Sequence, residues 1–138
     1  PPPIDDDLLD PDPSNAASQP PPLLLNRRDE LGRCTWLLLH TLAAQVPSAP
    51  SVQTRHDIRT LLALLSRIYP CGECALHFGR LLQEFPPDLD SGDSFRRWLC
   101  EAHNRVNDRL GKQRFDCRLV ESRWRGLGDC AGEAGGGR

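Results

Sequence analysis

The sequence predicts an all-α fold, a four-helix bundle completed by a short fifth helix. Four segments between residues 31 and 110 carry apolar residues three and four positions apart, which is the spacing of one helix face. Proline or glycine stands at the end of these segments, so the connections are short, and no two segments alternate like paired strands. Four amphipathic helices with short connections pack as a bundle.

The first two helices are bounded by local signals. The first is predicted from Leu31 to Val46, where Pro47 ends it. Its candidates for burial are Trp36, Leu39, Leu42 and Ala43. The second is predicted from Val52 to Ile68, with Ser51 as its N-cap. Its apolar face consists of Ile58, Leu61, Leu62, Leu65 and Ile68.

The remaining helices follow the same logic. The third is predicted to start at Cys71-Gly72-Glu73-Cys74 and to stop at Pro86-Pro87. Its apolar positions are Cys74, Ala75, Phe78, Leu81, Leu82 and Phe85. The fourth is predicted from Asp93 to Leu110, with Gly111 as its stop. Its inward positions are Phe95, Trp98, Leu99, Ala102 and Val106. The short fifth helix is predicted over about residues 117–125.

The two ends of the chain differ from its middle in composition. Residues 1–27 hold eight of the 13 prolines and five aspartates, so we predict a disordered tail there. We predict one folded domain over residues 28–130 and a flexible Gly-rich tail over residues 131–138. The chain begins with Pro rather than Met, so we expect a fragment or a processed product.

Charge and cysteine content narrow the class of protein. The net charge of -2 over 138 residues predicts no nucleic-acid partner, and no apolar run approaches the length of a membrane span. Six cysteines in so short a chain indicate disulfides and an oxidising compartment.

The pair Cys71 and Cys74 carries the strongest chemical signal. Two cysteines two residues apart can close a small disulfide, and they stand where a helix begins. The positive end of a helix stabilises a thiolate and so lowers the cysteine pKa. A thiolate beside a disulfide partner is what thiol–disulfide exchange requires, so the motif predicts redox chemistry.

The same spacing also occurs in zinc sites. A structural zinc would bring a second close pair of ligands, and this chain offers only His77 as a third candidate. A thioredoxin-like protein would need a βαβ pattern around the motif, and no convincing strand stands there. A zinc-stapled or purely structural helical adaptor is the alternative to a redox protein.

A polar stripe runs along the fourth predicted helix. Cys100, His103, Asn104 and Asn107 recur at one-face spacing and lead into Lys112. A solvated face is the simple interpretation. However, asparagine is a poor helix former and cysteine is rarely a surface residue. The stripe therefore suggests hydrogen-bonding groups that face a bound polar molecule.

Aromatic residues lie at two further places. Trp36 and His40 stand one turn apart on the first helix, where core packing alone could explain them, and Arg123-Trp124 offers a ring beside a cation. A dithiol near an aromatic, polar cleft suggests a flat cofactor that accepts two electrons, and a flavin meets that need. No Gly-rich dinucleotide loop is present, so a Rossmann-type site is not expected.

An ordered set of short motifs then identifies a family. They are Leu31-Gly32-Arg33-Cys34-Thr35-Trp36, Leu39-His40-Thr41, Tyr69-Pro70-Cys71-Gly72-Glu73-Cys74-Ala75, His103-Asn104-Arg105-Val106-Asn107, Leu110-Gly111-Lys112, Phe115-Asp116-Cys117 and Arg123-Trp124. With this set the chain resembles the Erv/ALR FAD-dependent sulfhydryl oxidases. The resemblance implies a bundle that binds FAD non-covalently, usually as a homodimer. It also implies oxidation of substrate dithiols to disulfides, with oxygen or, in mitochondrial members, cytochrome c as the acceptor.

The resemblance also assigns roles to residues. Cys74 would lie beside the isoalloxazine ring, Cys71 would meet incoming thiols, and Cys100 and Cys117 would form a structural disulfide. The residues implied to bind FAD are Arg33, Trp36, His40, Tyr69, Cys74, His103, Asn104, Val106, Asn107, Lys112, Arg123 and Trp124. The implied partners are thiol-containing proteins, such as an oxidoreductase of an import or folding pathway. The implied compartment is the mitochondrial intermembrane space, with the secretory pathway or endoplasmic reticulum as the alternative.

Three departures from the family pattern stand out. Cys34 occupies a position that usually holds a small residue other than cysteine, and Asp108 replaces a common basic residue, which weakens one expected phosphate contact. No second cysteine pair is present to shuttle electrons, so an FAD-binding domain without efficient turnover is a further alternative. We predict that Cys130 pairs with Cys34, within one chain or between subunits; otherwise Cys34 would be a buried free thiol.

Overall fold

The computed structural model describes residues 22–119, and these residues are helical with no strand among them. Four α-helices span Pro22–Ala44 (α1), Val52–Ile68 (α2), Gly72–Glu84 (α3) and Gly92–Leu110 (α4). A single turn of 3₁₀ helix, Cys117–Leu119, follows α4. The predicted all-α class is confirmed, and the rest of the predicted fifth helix lies outside the described residues.

Helix α1 begins earlier than predicted. It starts at Pro22, nine residues before Leu31 and inside the predicted tail. Proline suits the first turn of a helix, because its φ is already helical and its missing N–H would have no partner there. The helix ends at Ala44, and Val46 N donates to the Ala43 carbonyl at 3.1 Å in a tightened last turn. The predicted limits of the two tails and of the folded domain stay predictions.

The chain divides within α1 into two units, residues 1–34 and residues 35–138. In the first unit, residues 27–30, Arg33 and Cys34 are exposed. The core and the site described below belong to the second unit.

The core of the second unit joins the C-terminal part of α1 to α2 and α4. Its buried apolar side chains are Leu39, Ala43, Val46, Ile58, Leu62, Leu89, Phe95, Trp98, Leu99 and Ala102. Trp98 Nε1 donates to the Phe85 carbonyl at 3.1 Å, so the indole N–H is satisfied inside the core. The predicted inward face of α2 is wrong at Ile68, which is 72% exposed because it ends the helix beyond the packed layer.

Helices α2 and α3 form an antiparallel hairpin. Ser51 caps α2 as predicted, its Oγ accepting from Thr54 N at 3.0 Å. Only residues 69–71 connect the two helices. A Cβ on Gly79 would lie 3.5 Å from Ser66 Cβ, so the two helices are in van der Waals contact at this level. The hairpin therefore places the Cys71–Cys74 motif at its closed end.

The start of α4 lies against the end of α1. A Cβ on Gly92 would lie 2.5 Å and 2.6 Å from the carbonyl oxygens of Val46 and Pro47. Arg96 Nη1 donates to the carbonyls of Ala43 and Val46 at 3.1 Å and 2.9 Å. These bonds give a further partner to the Ala43 carbonyl and a partner to the Val46 carbonyl just beyond the end of α1. Glycine and arginine one turn apart thus fix α4 against α1.

Candidate functional site

The cysteine pair lies at the N-terminus of α3. Cys71 is the N-cap residue, and its Sγ accepts from Cys74 N at 3.3 Å. A disulfide joins Cys71 to Cys74, whose Cα atoms are 5.2 Å apart. Cys71 precedes the first helical residue, whereas Cys74 lies one turn inside the helix next to the buried Ala75. Both sulfurs therefore stand at the positive end of the helix, and Cys71 is the outer one.

The turn that carries the pair is fastened to α1. The Tyr69 hydroxyl and Thr35 Oγ1 lie 3.1 Å apart, within hydrogen-bond distance. Tyr69 is a predicted site residue, and the structure places it directly before Pro70 and Cys71. Sequence reasoning assigned no role to Thr35. The sequence feature that could have identified Thr35 is its position in the Arg33–Trp36 motif, between two predicted site residues.

Three predicted aromatic residues come together from α1 and α4. The Trp36 and His103 rings stack with centroids 4.1 Å apart and planes within 6°. His40 Nε2 lies 2.9 Å from His103 Nδ1, so one of these two nitrogens carries the shared proton. His40 is buried, and the other two rings are half-buried. The arrangement offers a flat aromatic surface with imidazole nitrogens at its edge.

Electrostatics keep His103 neutral. Burial, and to a smaller extent the nearby positive charge of Lys112, lower the pKa of His103 to about 4. At neutral pH the ring is an uncharged imidazole. It can therefore stack against a heteroaromatic ring without bringing a second cation next to Lys112.

The polar stripe of α4 is buried rather than solvated. Cys100 is 1% exposed, Asn104 2% and Asn107 8%, so the interpretation as a solvated face is wrong for these three. A disulfide joins Cys100 to Cys117, with Cα atoms 5.8 Å apart. This bond ties the 3₁₀ turn to α4.

Asn104 has a structural task in this stripe. Its Nδ2 donates to the Phe115 carbonyl at 2.9 Å, and its Oδ1 accepts from Phe115 N at 2.7 Å. The side-chain amide thus pairs with one backbone residue as a neighbouring strand would. This pairing explains why a poor helix former stands in mid-helix. The binding role predicted for Asn104 would have to use the remaining capacity of its carbonyl oxygen.

The end of α4 sets the position of Lys112. Gly111 has φ 70°, the left-handed conformation that the predicted glycine stop requires. Lys112 N donates to the Asn107 carbonyl at 2.8 Å, and the Lys112 side chain is exposed. Val106 is half-buried. The site residues of α4 and the lysine beyond it are therefore held by one capped helix end.

Asp108 belongs to a surface ion-pair group. Arg114 pairs with Asp108, and it also lies 3.3 Å from Glu101. The residue that departs from the family pattern is thus engaged with an arginine of its own chain.

Other predicted residues lie in the first unit or outside the described range. Arg33 is exposed in the first unit, and its place in the site stays a prediction. Cys34 is exposed, so the alternative of a buried thiol is wrong. Cys130, Arg123 and Trp124 lie outside the described residues, and the Cys34–Cys130 bridge stays a prediction.

The structure weakens the zinc alternative. Within residues 22–119 no three His, Cys, Asp or Glu side chains form a group that could hold a metal ion. Both sulfurs of the Cys71–Cys74 pair are used in a disulfide, and His77 Nε2 faces Glu73 at 3.8 Å.

Among residues 22–119, no helix combines the length and apolar character needed to cross a bilayer.

Comparison with known proteins identifies relatives by sequence. The Erv1 / Alr family model matches residues 33–125. The FAD-linked sulfhydryl oxidase ERV1 of Oryza sativa is 50% identical over 103 residues, which are 75% of this chain and 53% of the rice protein. The mitochondrial FAD-linked sulfhydryl oxidase ERV1 of Saccharomyces cerevisiae is 42% identical over 97 residues, 70% of this chain and 51% of the yeast protein. The chain thus spans about half the length of the curated relatives it matches.

Solved structures agree with the sequence matches. The FAD-binding domain of Erv1 from Saccharomyces cerevisiae superposes with a TM-score of 0.68 at 43% identity, covering 70% of this chain and 91% of that domain. The yeast Erv1 core superposes with a TM-score of 0.69 at 37% identity, covering 86% of this chain and 96% of that core. The chain belongs to the Erv1/Alr family.

Proposed function

We propose that this chain is an FAD-linked thiol oxidase that converts pairs of thiols in protein substrates into disulfides. The observation that carries the proposal is the Cys71–Cys74 disulfide at the N-terminus of α3. It supplies an oxidant for thiols and a helix end that stabilises the thiolates formed when it is reduced. The printed names of the relatives, FAD-linked sulfhydryl oxidases, support this choice.

The cysteine chemistry follows from the positions of the two sulfurs. A substrate thiolate attacks Cys71 Sγ, a substrate–Cys71 disulfide forms, and the bond to Cys74 breaks. Cys74 leaves as a thiolate one turn inside α3. The second substrate thiolate then attacks the substrate sulfur of this mixed disulfide, which closes the substrate disulfide and breaks the bond to Cys71. Cys71 leaves as a thiolate, which can accept the Cys74 N–H. The substrate loses two electrons and two protons, and the cysteine pair gains the two electrons.

The described residues fit a bound FAD. The parallel Trp36 and His103 rings offer a face for a flat ring system, a neutral His103 adds no repulsion, and Lys112 provides a cation for a phosphate. When bound, FAD would accept the two electrons from the reduced pair and pass them to oxygen. We assign FAD binding to Arg33, Trp36, His40, Tyr69, Cys74, His103, Asn104, Val106, Asn107, Lys112, Arg123 and Trp124.

The setting of the reaction is part of the proposal. The substrates are thiol-containing proteins, such as an oxidoreductase of an import or folding pathway, and the acceptor is oxygen or cytochrome c. The active form is a homodimer. The names of two yeast relatives include the word mitochondrial, which supports a mitochondrial location, in the intermembrane space. The secretory pathway is the alternative compartment.

The experiment compares the purified chain with Cys74→Ser. We expect a yellow wild-type protein that makes hydrogen peroxide from oxygen and dithiothreitol. Cys74→Ser should keep its bound FAD and lose peroxide production, because the leaving thiolate is gone. Cys34→Ser is the matched control, since it removes an exposed cysteine from the first unit. A colourless wild-type protein, or full peroxide production by Cys74→Ser, would contradict the proposal.

A further inference from the structure

The connection between α2 and α3 is stiff from Tyr69 to Cys71. Tyr69 ends α2, its N–H donating to the Leu65 carbonyl at 3.2 Å, and its ψ of 132° is extended. A residue before proline is restricted to such extended values, and the ring of Pro70 fixes φ at the next position. Cys71 follows directly as the N-cap of α3. Few free backbone torsions thus separate Tyr69 from Cys71, so a restraint on Tyr69 is also a restraint on Cys71.

A hydroxyl group on α1 restrains the Tyr69 side chain. The Tyr69 hydroxyl lies 3.1 Å from Thr35 Oγ1, within hydrogen-bond distance and 34 residues away in sequence. Thr35 stands on the packed side of α1, because Leu39 and Ala43, four and eight residues further on, are 4% and 1% exposed. The ring of the next residue, Trp36, stacks on a ring of α4. Tyr69 is therefore tied to a part of α1 that is itself held by packing.

This restraint matters most when the bond between Cys71 and Cys74 is open. In the disulfide form, the covalent bond itself holds the two Cα atoms 5.2 Å apart. In the dithiol form that bond is gone, and Cys71 is kept near Cys74 by the first turn of α3 on one side and by the stiff connection on the other. A looser connection would give the dithiol form more conformations and the cross-linked form few, so it would favour the dithiol.

We infer that Thr35 is a positioning residue for the redox pair. It acts through Tyr69, whose hydroxyl it holds, and so keeps Cys71 in the geometry that closes the disulfide. Thr35 thereby sets how readily thiols reduce the pair. The inference rests on the proposed function, because an oxidase must close this disulfide again after each substrate has opened it.

Exchange with glutathione measures this property without peroxide production. Two glutathione thiols lose two electrons and two protons and form oxidised glutathione, and the Cys71–Cys74 disulfide gains the two electrons and two protons and becomes a dithiol. The measured quantity is the equilibrium constant of this exchange for the purified full chain in the absence of oxygen. Alkylation followed by mass analysis of the peptide that contains both cysteines gives the fraction reduced.

Thr35→Val keeps the shape of the side chain and removes its hydroxyl. We expect its equilibrium constant for reduction to be about fivefold higher than that of the wild type, the change that one net hydrogen bond produces. This corresponds to a reduction potential about 20 mV higher for a two-electron couple. Thr35→Ser keeps a hydroxyl and should restore the wild-type value. Thr41→Val makes the same change at another half-buried threonine of α1 and is the control, with no expected effect.

A double-mutant cycle determines whether the two hydroxyl groups act together. Tyr69→Phe removes the partner hydroxyl and should raise the equilibrium constant about as much as Thr35→Val does. The double variant should differ little from either single variant, because all three lack the same hydrogen bond. Circular dichroism establishes that each variant is folded, and Tyr69→Phe with Thr35→Ser still tests the bond if Thr35→Val does not fold.

The outcomes separate this inference from the proposed function. A folded Thr35→Val with the wild-type equilibrium constant would overturn the inference, and so would effects of Thr35→Val and Tyr69→Phe that add up in the double variant. An equal rise in Thr41→Val would also overturn it, because the effect would then belong to α1 in general. A wild-type chain that makes no peroxide from dithiothreitol would overturn the proposed oxidase, while the glutathione equilibrium would still decide the role of Thr35.

Discussion

The lowered pKa of His103 makes the stability of the protein depend on pH in a defined window. Burial beside Trp36, together with the charge of Lys112, brings the folded pKa to about 4, against 6.5 for an ordinary histidine. Between these two values the unfolded chain binds a proton at His103 that the folded chain excludes. The stabilisation from neutral His103 is therefore complete above about pH 6.5, and it is lost as the pH falls towards 4.

The size of the effect follows from the two pKa values. Each pKa unit corresponds to about 1.4 kcal/mol, so a difference of about 2.5 between 6.5 and 4 sets a ceiling of about 3 kcal/mol. At pH 5 the linkage relation gives about 2 kcal/mol. The ring is half-buried rather than enclosed, so solvent screening brings the measured loss below these figures, to about 1 kcal/mol or somewhat more.

Urea unfolding of the cofactor-free protein at pH 7.5, 6 and 5 measures this loss. The wild type should lose about 1 to 2 kcal/mol more between pH 7.5 and pH 5 than His103→Asn does, because asparagine cannot titrate. The low pKa of Asp116, about 2, and the lowered pKa of Asp93 come from arginine hydrogen bonds and affect stability only at more acidic pH. An identical pH dependence for both proteins would refute the reasoning about His103.

Two further predictions concern the scaffold. Cys100→Ser with Cys117→Ser should lower the free energy of unfolding by about 3 kcal/mol, the chain-entropy value for a cross-link between residues 17 apart, with little change in turnover per folded molecule. Thiol counting and a melting curve measure both effects, and free thiols at these positions in the untreated protein would contradict the bridge. Gly92→Ala should destabilise by roughly 1 to 3 kcal/mol, because its Cβ would meet two backbone carbonyl oxygens at 2.5 Å and 2.6 Å. Its control, Gly32→Ala, has no neighbour within 4 Å and should stabilise α1 by up to about 1 kcal/mol; equal melting shifts of the two variants would contradict the close approach at Gly92.

Local sequence signals predicted most of the fold, and tertiary packing accounts for the positions where the structure differs from the prediction. Ser51 and Gly111 mark helix ends by their own chemistry, and both stand where the structure has those ends. The predicted start of the first helix at Leu31 was wrong by nine residues, because apolar periodicity gave no sign of the earlier turns, although Pro22 is a good first helical residue. Ile68 fits the apolar period of α2, but periodicity does not show that the packed layer stops before it.

The residue types of the site could be predicted from the sequence, but the contacts between those residues could not. Trp36, His40 and His103 were separate candidates, and only the packing of α1 on α4 brings His40 to His103 across 63 residues of sequence. The task of Asn104 could not be predicted, because its partner Phe115 lies in an irregular segment with no periodic pattern. Arg96 was missed for a similar reason, since its acceptors are backbone carbonyls that carry no sequence signal.

The two disulfides differ in how many of their sulfurs a thiol in solution can reach. Exchange needs a thiolate to reach a sulfur along the axis of the disulfide. Cys71 and Cys74 are half-buried at a helix end. In the second bond only Cys117 is half-buried, because Cys100 is 1% exposed, and the Asn104 amide nitrogen lies 3.4 Å from Cys117 Sγ. A thiolate in solution can therefore approach either sulfur of the first bond, but only the Cys117 sulfur of the second, where the leaving Cys100 would be a buried thiolate.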